Sequence, residues 1–293
     1  MTVIFSEIIG KPSKIQSELF PDFEFYYEQP LRTVWLTVRP NGPVRATESF
    51  VNQLSTAQSY SAASHEQGLP LEFCVTSSAV PGIYNFGGDL PFFIQCIKEN
   101  NVAALKKYAH ACTRMIFNNS IGWGTSALTI VLLQGDALGG GFESAISHDF
   151  IVAERSVKMG MPEIVFNTFP GMGAYSYLCR KLDAARAERM ILSGKIYTAA
   201  ELFDMGLVDV LAEDGEGHDA VRRMISNTRR YEVLRSLKRV RQRVLPLDLQ
   251  ELLDVTDIWV ENVMKIQPSD LRRMERLVSA QEKRVGGLTM PAG

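Results

Sequence analysis

Two glutamates and two glycine-rich turns stand out in the chain as groups able to do chemistry. Glu143 follows three consecutive glycines, Gly139, Gly140 and Gly141, in the run ALGGGFESAI. Glu163 lies in MGMPEIVF, between Pro162 and another apolar run. A carboxylate set among apolar residues without a cation has its pKa raised by desolvation, which suits it to general acid–base work near neutral pH. If two such groups share a pocket, like-charge repulsion keeps one of them protonated. One acid and one base are what a β-elimination needs. The glycines let the backbone come close to a ligand, and a helix opening there offers unpaired N–H groups to an anion or oxyanion. Neither GxGxxG spacing nor a following GK[ST] is present, so the run is not a dinucleotide fingerprint or a phosphate loop. A second glycine loop, Asn85-Phe86-Gly87-Gly88-Asp89-Leu90, also opens a helix. It can add another inward N–H, with Asp89 expected as the helix cap. Taken alone, each feature reads as well as close packing or an ordinary helix start; their nearness to one another favours the chemical reading.

Placing these groups requires strands that end at them. Ala127 to Leu133 is a continuous apolar run of the kind buried on both faces, followed by an expected turn at Gln134-Gly135-Asp136 and then the glycines. Further strands are expected at 32–38, 71–78, 149–154, 157–160 and 208–212, and FPDFEFYYEQ reads as a strand or a packed arm. Pro40-Asn41-Gly42-Pro43 is a turn, 59–70 a polar loop and 80–90 a glycine-punctuated loop. Helical spacing occupies 46–60, Leu90 to Phe117 with an interruption at Asn100-Asn101, roughly 172–206, and most of 217–284. Strands alternate with helices to about residue 212 and helices take over afterwards. This order predicts an α/β core with an N-terminal arm over 1–215 and a helical region over 216–293.

The chain has 293 residues, 46% apolar and 22% charged, with a net charge of −2. Such a length can bury a large core, and the near-neutral charge argues against a general nucleic-acid binder. Cys74, Cys96, Cys112 and Cys179 are scattered without a CxxC pair or a His cluster, so they read as small buried apolar residues in a reducing compartment rather than disulfides or a metal site. The N-terminus does not read as a signal peptide and no segment is apolar for long enough to span a membrane, so a cytoplasmic protein is expected. None of His65, His110, His148 and His218 sits in a nucleophile motif; His148, beside Asp149, reads as a surface or capping residue. An apolar ligand pocket would draw on Phe169, Met172, Tyr175 and Tyr177, with Trp259 from the C-terminal helices. Arg222 to Arg243 holds nine basic residues against the single acid Glu232, a patch fit to dock an acidic partner or phosphates, or else a solvated helix face.

Together NFGGDL (85–90), ALGGGFESA (137–145) and MGMPEI (159–164) resemble the three motifs of the crotonase (enoyl-CoA hydratase/isomerase) superfamily. The resemblance implies a spiral of ββα units with a helical C-terminal region, assembled as trimers or hexamers. It implies catalytic roles for Glu143 and Glu163, an oxyanion hole of backbone N–H groups from Phe86, Gly87 and Gly140, and substrate contacts at Gly139, Gly141, Met172 and Trp259. No metal or cofactor is expected beyond the substrate's own carrier, acyl carrier protein or CoA. Within the superfamily the N-terminal arm, NFGGDL and GMPEIVFNTFPGMGAYSYL are most similar to the diffusible signal factor synthases of bacterial quorum sensing. That likeness implies dehydration of a 3-hydroxyacyl thioester on acyl carrier protein to the cis-2-enoyl form, then hydrolysis to a free cis-2-unsaturated medium-chain fatty acid. A sensor kinase's regulatory domain is a further possible partner under that likeness. The alternatives are a plain enoyl-CoA hydratase or isomerase, and a non-catalytic RNA-binding scaffold.

Overall fold

Strand patterning separates a strand with one half-exposed face from one buried on both. In the computed structural model, which describes residues 19–39, 44–226 and 230–287, Phe23–Glu28 (β1) alternates buried and half-exposed residues. Leu128–Leu133 (β5) is buried at every position, as an interior parallel strand must be. With Thr33–Val38 (β2), Phe73–Ser78 (β3), Phe150–Glu154 (β7) and Val210–Ala212 (β10), they form a six-stranded sheet in the order β1-β2-β3-β5-β7-β10. Only the β1–β2 pair is antiparallel. The Pro40–Pro43 turn and the first eighteen residues lie outside the described residues.

A second sheet of four short strands holds Gly82–Asn85 (β4), Gly135–Leu138 (β6), Lys158–Gly160 (β8) and Ile196–Thr198 (β9), in the order β4-β6-β8-β9. Three times a strand of the large sheet passes directly into one of the small sheet: β3 to β4, β5 to β6, β7 to β8. Helices follow each pair, namely Leu90–Lys98 and Val102–Ser120 (α2, α3) after β4, Gly140–Ile146 (α4) after β6, and a 3-10 turn over Pro162–Phe166 leading to Ala174–Lys181 (α5) after β8. This is the expected ββα spiral.

Three expectations change. The 134–136 turn is instead the start of β6, where glycine lets the chain approach Ile83 of β4: a Cβ on Gly135 would stand 2.1 Å from the Ile83 nitrogen. The loop over 80–90 contains β4. The polar stretch 59–66 continues the helix Glu48–Glu66 (α1), because its polar side chains are satisfied within the fold. Ser61 Oγ donates to Ala57 O at 2.9 Å, and His65 Nδ1 pairs with Leu69 O at 2.9 Å. The break at Asn100-Asn101 is present. Asn100 adopts a left-handed φ of 53° and the Asn101 side chain caps α3 by accepting from Ala104 N at 3.1 Å.

Residues 172–206 resolve into α5, Ala184–Ser193 (α6), β9 and Ala199–Asp204 (α7), and the C-terminal stretch into Gly217–Ser226 (α8), Tyr231–Val244 (α9), Leu249–Val263 (α10) and Pro268–Gly286 (α11). Cys74, Cys96 and Cys112 are buried and Cys179 partly so, all as free thiols. No described helix is long and apolar enough to cross a membrane.

Candidate active site

The three motifs converge because three short strands run side by side in the same direction. β4, β6 and β8 are parallel neighbours, with Asn85 paired to Ala137, Ala137 to Met159 and Leu138 to Gly160. Their carboxyl ends therefore deliver the 86–89 loop, the glycine run and Pro162-Glu163 to one place. Segments some twenty to eighty residues apart in the chain thus line a single cavity, whose walls include Gly88, Gly139, Gly140, Glu143, Glu163, Met172 and Trp259.

Glu143 is 1% exposed. Its Oε1 accepts two main-chain hydrogen bonds, from Met172 N at 2.8 Å and Ala174 N at 3.1 Å. Burial pushes its carboxyl up to about 7, with those two N–H groups pulling the other way. Glu163 is held on the 3-10 turn with Oε2 buried and without a partner among the described residues. Its pKa is pushed up to about 8, chiefly by burial and then by the charge of Glu143. The pair thus sits near neutrality with about one proton between its members. The two N–H bonds favour the charge on Glu143. Glu163 Oε1 also lies 2.7 Å from where a Cβ on Gly139 would stand, which ties the first glycine to this carboxyl.

The oxyanion donors need correction. The Phe86 N–H donates to Val44 O at 3.0 Å and the Gly87 N–H to Asn85 Oδ1 at 2.6 Å, so neither is free. The loop is a connection held by its own polar groups, and those bonds use up both hydrogens. Gly88 and Gly140 line the cavity, and no protein acceptor takes either N–H among the described residues. A Cβ on Gly140 would stand 3.2 Å from Gly88 N, so the two donors are neighbours. Gly88 was missed because the sequence does not show which of four consecutive N–H groups the loop consumes.

Other expected residues divide. Asp89 does not cap its helix; it takes Arg45 Nε at 2.8 Å instead, while its N–H donates to Tyr108 Oη at 3.1 Å. Gly141 does not line the cavity, and close packing explains it: a Cβ there would stand 2.3 Å from Asn85 O. Met172 lies across Gly140, its Cε 2.3 Å from where that residue's Cβ would be. Trp259 packs over Gly171 and meets Phe93 edge-on at 5.2 Å, making the far wall. Phe169, Tyr175 and Tyr177 lie outside the cavity; Tyr175 is 40% exposed and donates to Glu188.

His148 is not on the surface. It is 2% exposed and paired with Thr76 Oγ1 and Ser144 O, both at 2.8 Å. Burial holds its pKa down at about 4, so it stays neutral. Beside it, buried Asp149 takes Lys238 Nζ at 2.7 Å and Arg241. These two cations, with Arg222 paired to Glu28, turn part of the basic run inward, and none of its described residues lines the cavity. The described residues contain no cluster of His, Cys, Asp and Glu suited to a metal.

The enoyl-CoA hydratase/isomerase family model matches residues 73–277. The chain belongs to the enoyl-CoA hydratase/isomerase family. A probable enoyl-CoA hydratase of Rhizobium meliloti is 44% identical over 86 residues, covering 29% of this chain and 34% of that protein. The mitochondrial methylglutaconyl-CoA hydratase of Rattus norvegicus is 29% identical over 217 residues, covering 72% of this chain and 65% of the relative. The matches therefore span from about a third to just under two thirds of these relatives' lengths. Among solved structures, an enoyl-CoA hydratase from Bacillus halodurans superposes with a TM-score of 0.75 at 16% identity, covering 87% of this chain and 99% of that one. DspI of Pseudomonas aeruginosa does so at 0.62 and 19% identity, covering 88% and 96%. These structures share the fold of this enoyl-CoA hydratase/isomerase family member.

Proposed function

We propose that the protein dehydrates a 3-hydroxyacyl thioester on acyl carrier protein to the cis-2-enoyl thioester and then hydrolyses it, releasing a cis-2-unsaturated medium-chain fatty acid. One observation carries the elimination: two buried carboxyls with raised pKa values, about one proton between them, in an apolar cavity beside two free main-chain N–H groups. In this reading the thioester carbonyl accepts from Gly88 and Gly140. The enolate-like charge that develops as the α-proton leaves falls on that oxygen, where one such donor is worth roughly 3–4 kcal/mol. One glutamate takes the α-proton and the other gives its proton to the departing β-hydroxyl, so the pair ends with the proton count it began with. The same N–H groups then hold the tetrahedral intermediate while a glutamate activates water. The cis geometry, the hydrolytic step, the carrier-protein donor, a kinase-domain partner and assembly into trimers or hexamers are supported by the resemblance of the motifs alone.

A second reading, hydration of an enoyl-CoA, is favoured by the names of the relatives. In that direction the ionised glutamate of the pair activates water and its protonated partner delivers a proton to the α-carbon, the reverse of the same proton transfers. The two readings separate when purified protein is given a 3-hydroxyacyl carrier-protein substrate. Mass spectrometry should find free cis-2-enoic acid, and Glu143→Gln or Glu163→Gln should lower its rate by about 10²–10⁴-fold. Enoyl thioester without free acid supports the hydratase, and no change in either variant removes both.

A further inference from the structure

Behind Met172 lies a second, narrower space between β1, β2 and β3 on one side and helices α1 and α3 on the other. Its apolar wall includes Phe23, Leu36, Phe50, Leu54 and Ile116. Gly140 and Met172 line both spaces, so the methionine side chain and the glycine backbone form the partition between them.

We infer that this second cavity is a subsite for the far end of an unbranched alkyl chain, and that the Met172 side chain is the door to it. The inference rests on the reading of the first cavity as an acyl-thioester site. The Met172 backbone is fixed, because its N–H donates to Glu143 Oε1 at 2.8 Å. Its side chain, unbranched and with three rotatable bonds, is the adaptable part. Its Cε lies over Gly140 in space that any larger residue at 140 would occupy, so the door closes against bare backbone and can leave it without disturbing the main chain. The polar side chains of the second cavity have partners within the protein: Tyr84 is hydrogen-bonded with Thr76 and Ser144, and Asn119 Nδ2 donates to Ser147 Oγ at 2.9 Å. Thr76 Oγ1 pairs with His148 Nε2 at 2.8 Å, His148 Nδ1 with Ser144 O at 2.8 Å, and Asn85 Oδ1 accepts from Gly87 N at 2.6 Å. What remains is an apolar lining, which favours an alkyl chain over water.

The test measures binding of S-alkyl-pantetheine thioethers, hexyl to tetradecyl, to the full chain by calorimetry. Pantetheine is the arm shared by carrier protein and CoA, and a thioether is not hydrolysed. Each methylene admitted to an apolar site adds about fourfold to affinity. Met172→Ala should raise the tetradecyl-to-hexyl affinity ratio at least tenfold, and adding Leu54→Phe, which fills the second cavity from its far wall, should bring that ratio back down. A folded Met172→Ala protein with an unchanged ratio overturns the subsite while leaving the thioester site standing. A wild-type protein that binds no thioether of any length overturns both. If Met172→Ala does not fold, Met172→Val, which removes the Cε over Gly140, is read in the same way.

Discussion

Glu143 and Glu163 are chemically identical side chains given different states by their surroundings. Burial lifts Glu143 to about 7 against the pull of two main-chain donors; enclosure and the neighbouring charge lift Glu163 to about 8. Catalysis by one acid and one base requires a single proton on the pair, so kcat/KM should peak between about pH 7 and 8. It should fall below that window, where both carboxyls are protonated, and above it, where neither is. A pH–rate profile measures this, and either Gln variant should lose the bell as well as the rate. The same shifts have a sign for stability. Both folded-state values lie above the ordinary 4.5, so the associated stability is whole below about 4.5 and is lost as the pH rises through about 7 and 8. Glu163→Gln removes one of these buried ionisations. It should therefore be more stable than wild type at pH 9, by roughly 2–4 kcal/mol, and close to it at pH 5. Denaturant titrations at the two pH values test this, and a variant weaker than wild type at pH 9 contradicts it.

At the level of elements, the site follows from three parallel strands of three or four residues whose ends coincide. Their shortness explains what was legible in the sequence. The apolar β5 run and the glycine and glutamate motifs declare themselves locally, and with them the α/β class. Strands as short as β4 and β6, with glycines at their starts, read as turns because their pairing partners are distant in the chain. Residue-level errors have the same origin. His148 reads as a surface residue because its partner Thr76 is seventy-two positions away, and the basic run reads as a free patch because Asp149 is some ninety positions from Lys238. Of the site, the carboxyls, Gly140, Met172 and Trp259 were legible; Gly88 was not, since hydrogen-bond partners alone distinguish it from Phe86 and Gly87. Two substitutions test the elements. Gly141→Ala drives a methyl into Asn85 O and should cost about 1–3 kcal/mol while disturbing the loop that carries Gly88. Asp149→Ala leaves buried Lys238 without its carboxylate and should cost about 3–5 kcal/mol, loosening α9. Chemical denaturation reads the first cost and, with hydrogen exchange over 231–244, the second; a mobile α9 without a stability loss would show that the ion pairs only decorate the surface.

Across the whole molecule, the C-terminal helix returns to close what the strands opened. α11 brings Met274, Leu277 and Gln281 to the cavity, although it lies more than a hundred residues beyond Glu163. The closure is held at its far end by Arg284. Its Nη1 lies 2.9 Å from Asp136 Oδ2, Nη2 donates to Gly82 O at 2.8 Å, and the guanidinium stacks 5.6 Å from the centroid of the Phe86 ring. One side chain thus joins the helix to the starts of β4 and β6 and to the 86–89 loop. The Arg284 side chain is 42% exposed, so its ion pair is worth little in global stability, and its effect should appear locally in the closure. Arg284→Ala should leave the melting temperature within about 2 °C of wild type while speeding hydrogen exchange across 275–286 and weakening thioether binding by about tenfold. Arg284→Lys keeps the charge but not the two-pronged geometry, and should restore only part of either property. Faster exchange with unchanged binding would mean that α11 packs beside the cavity without closing it.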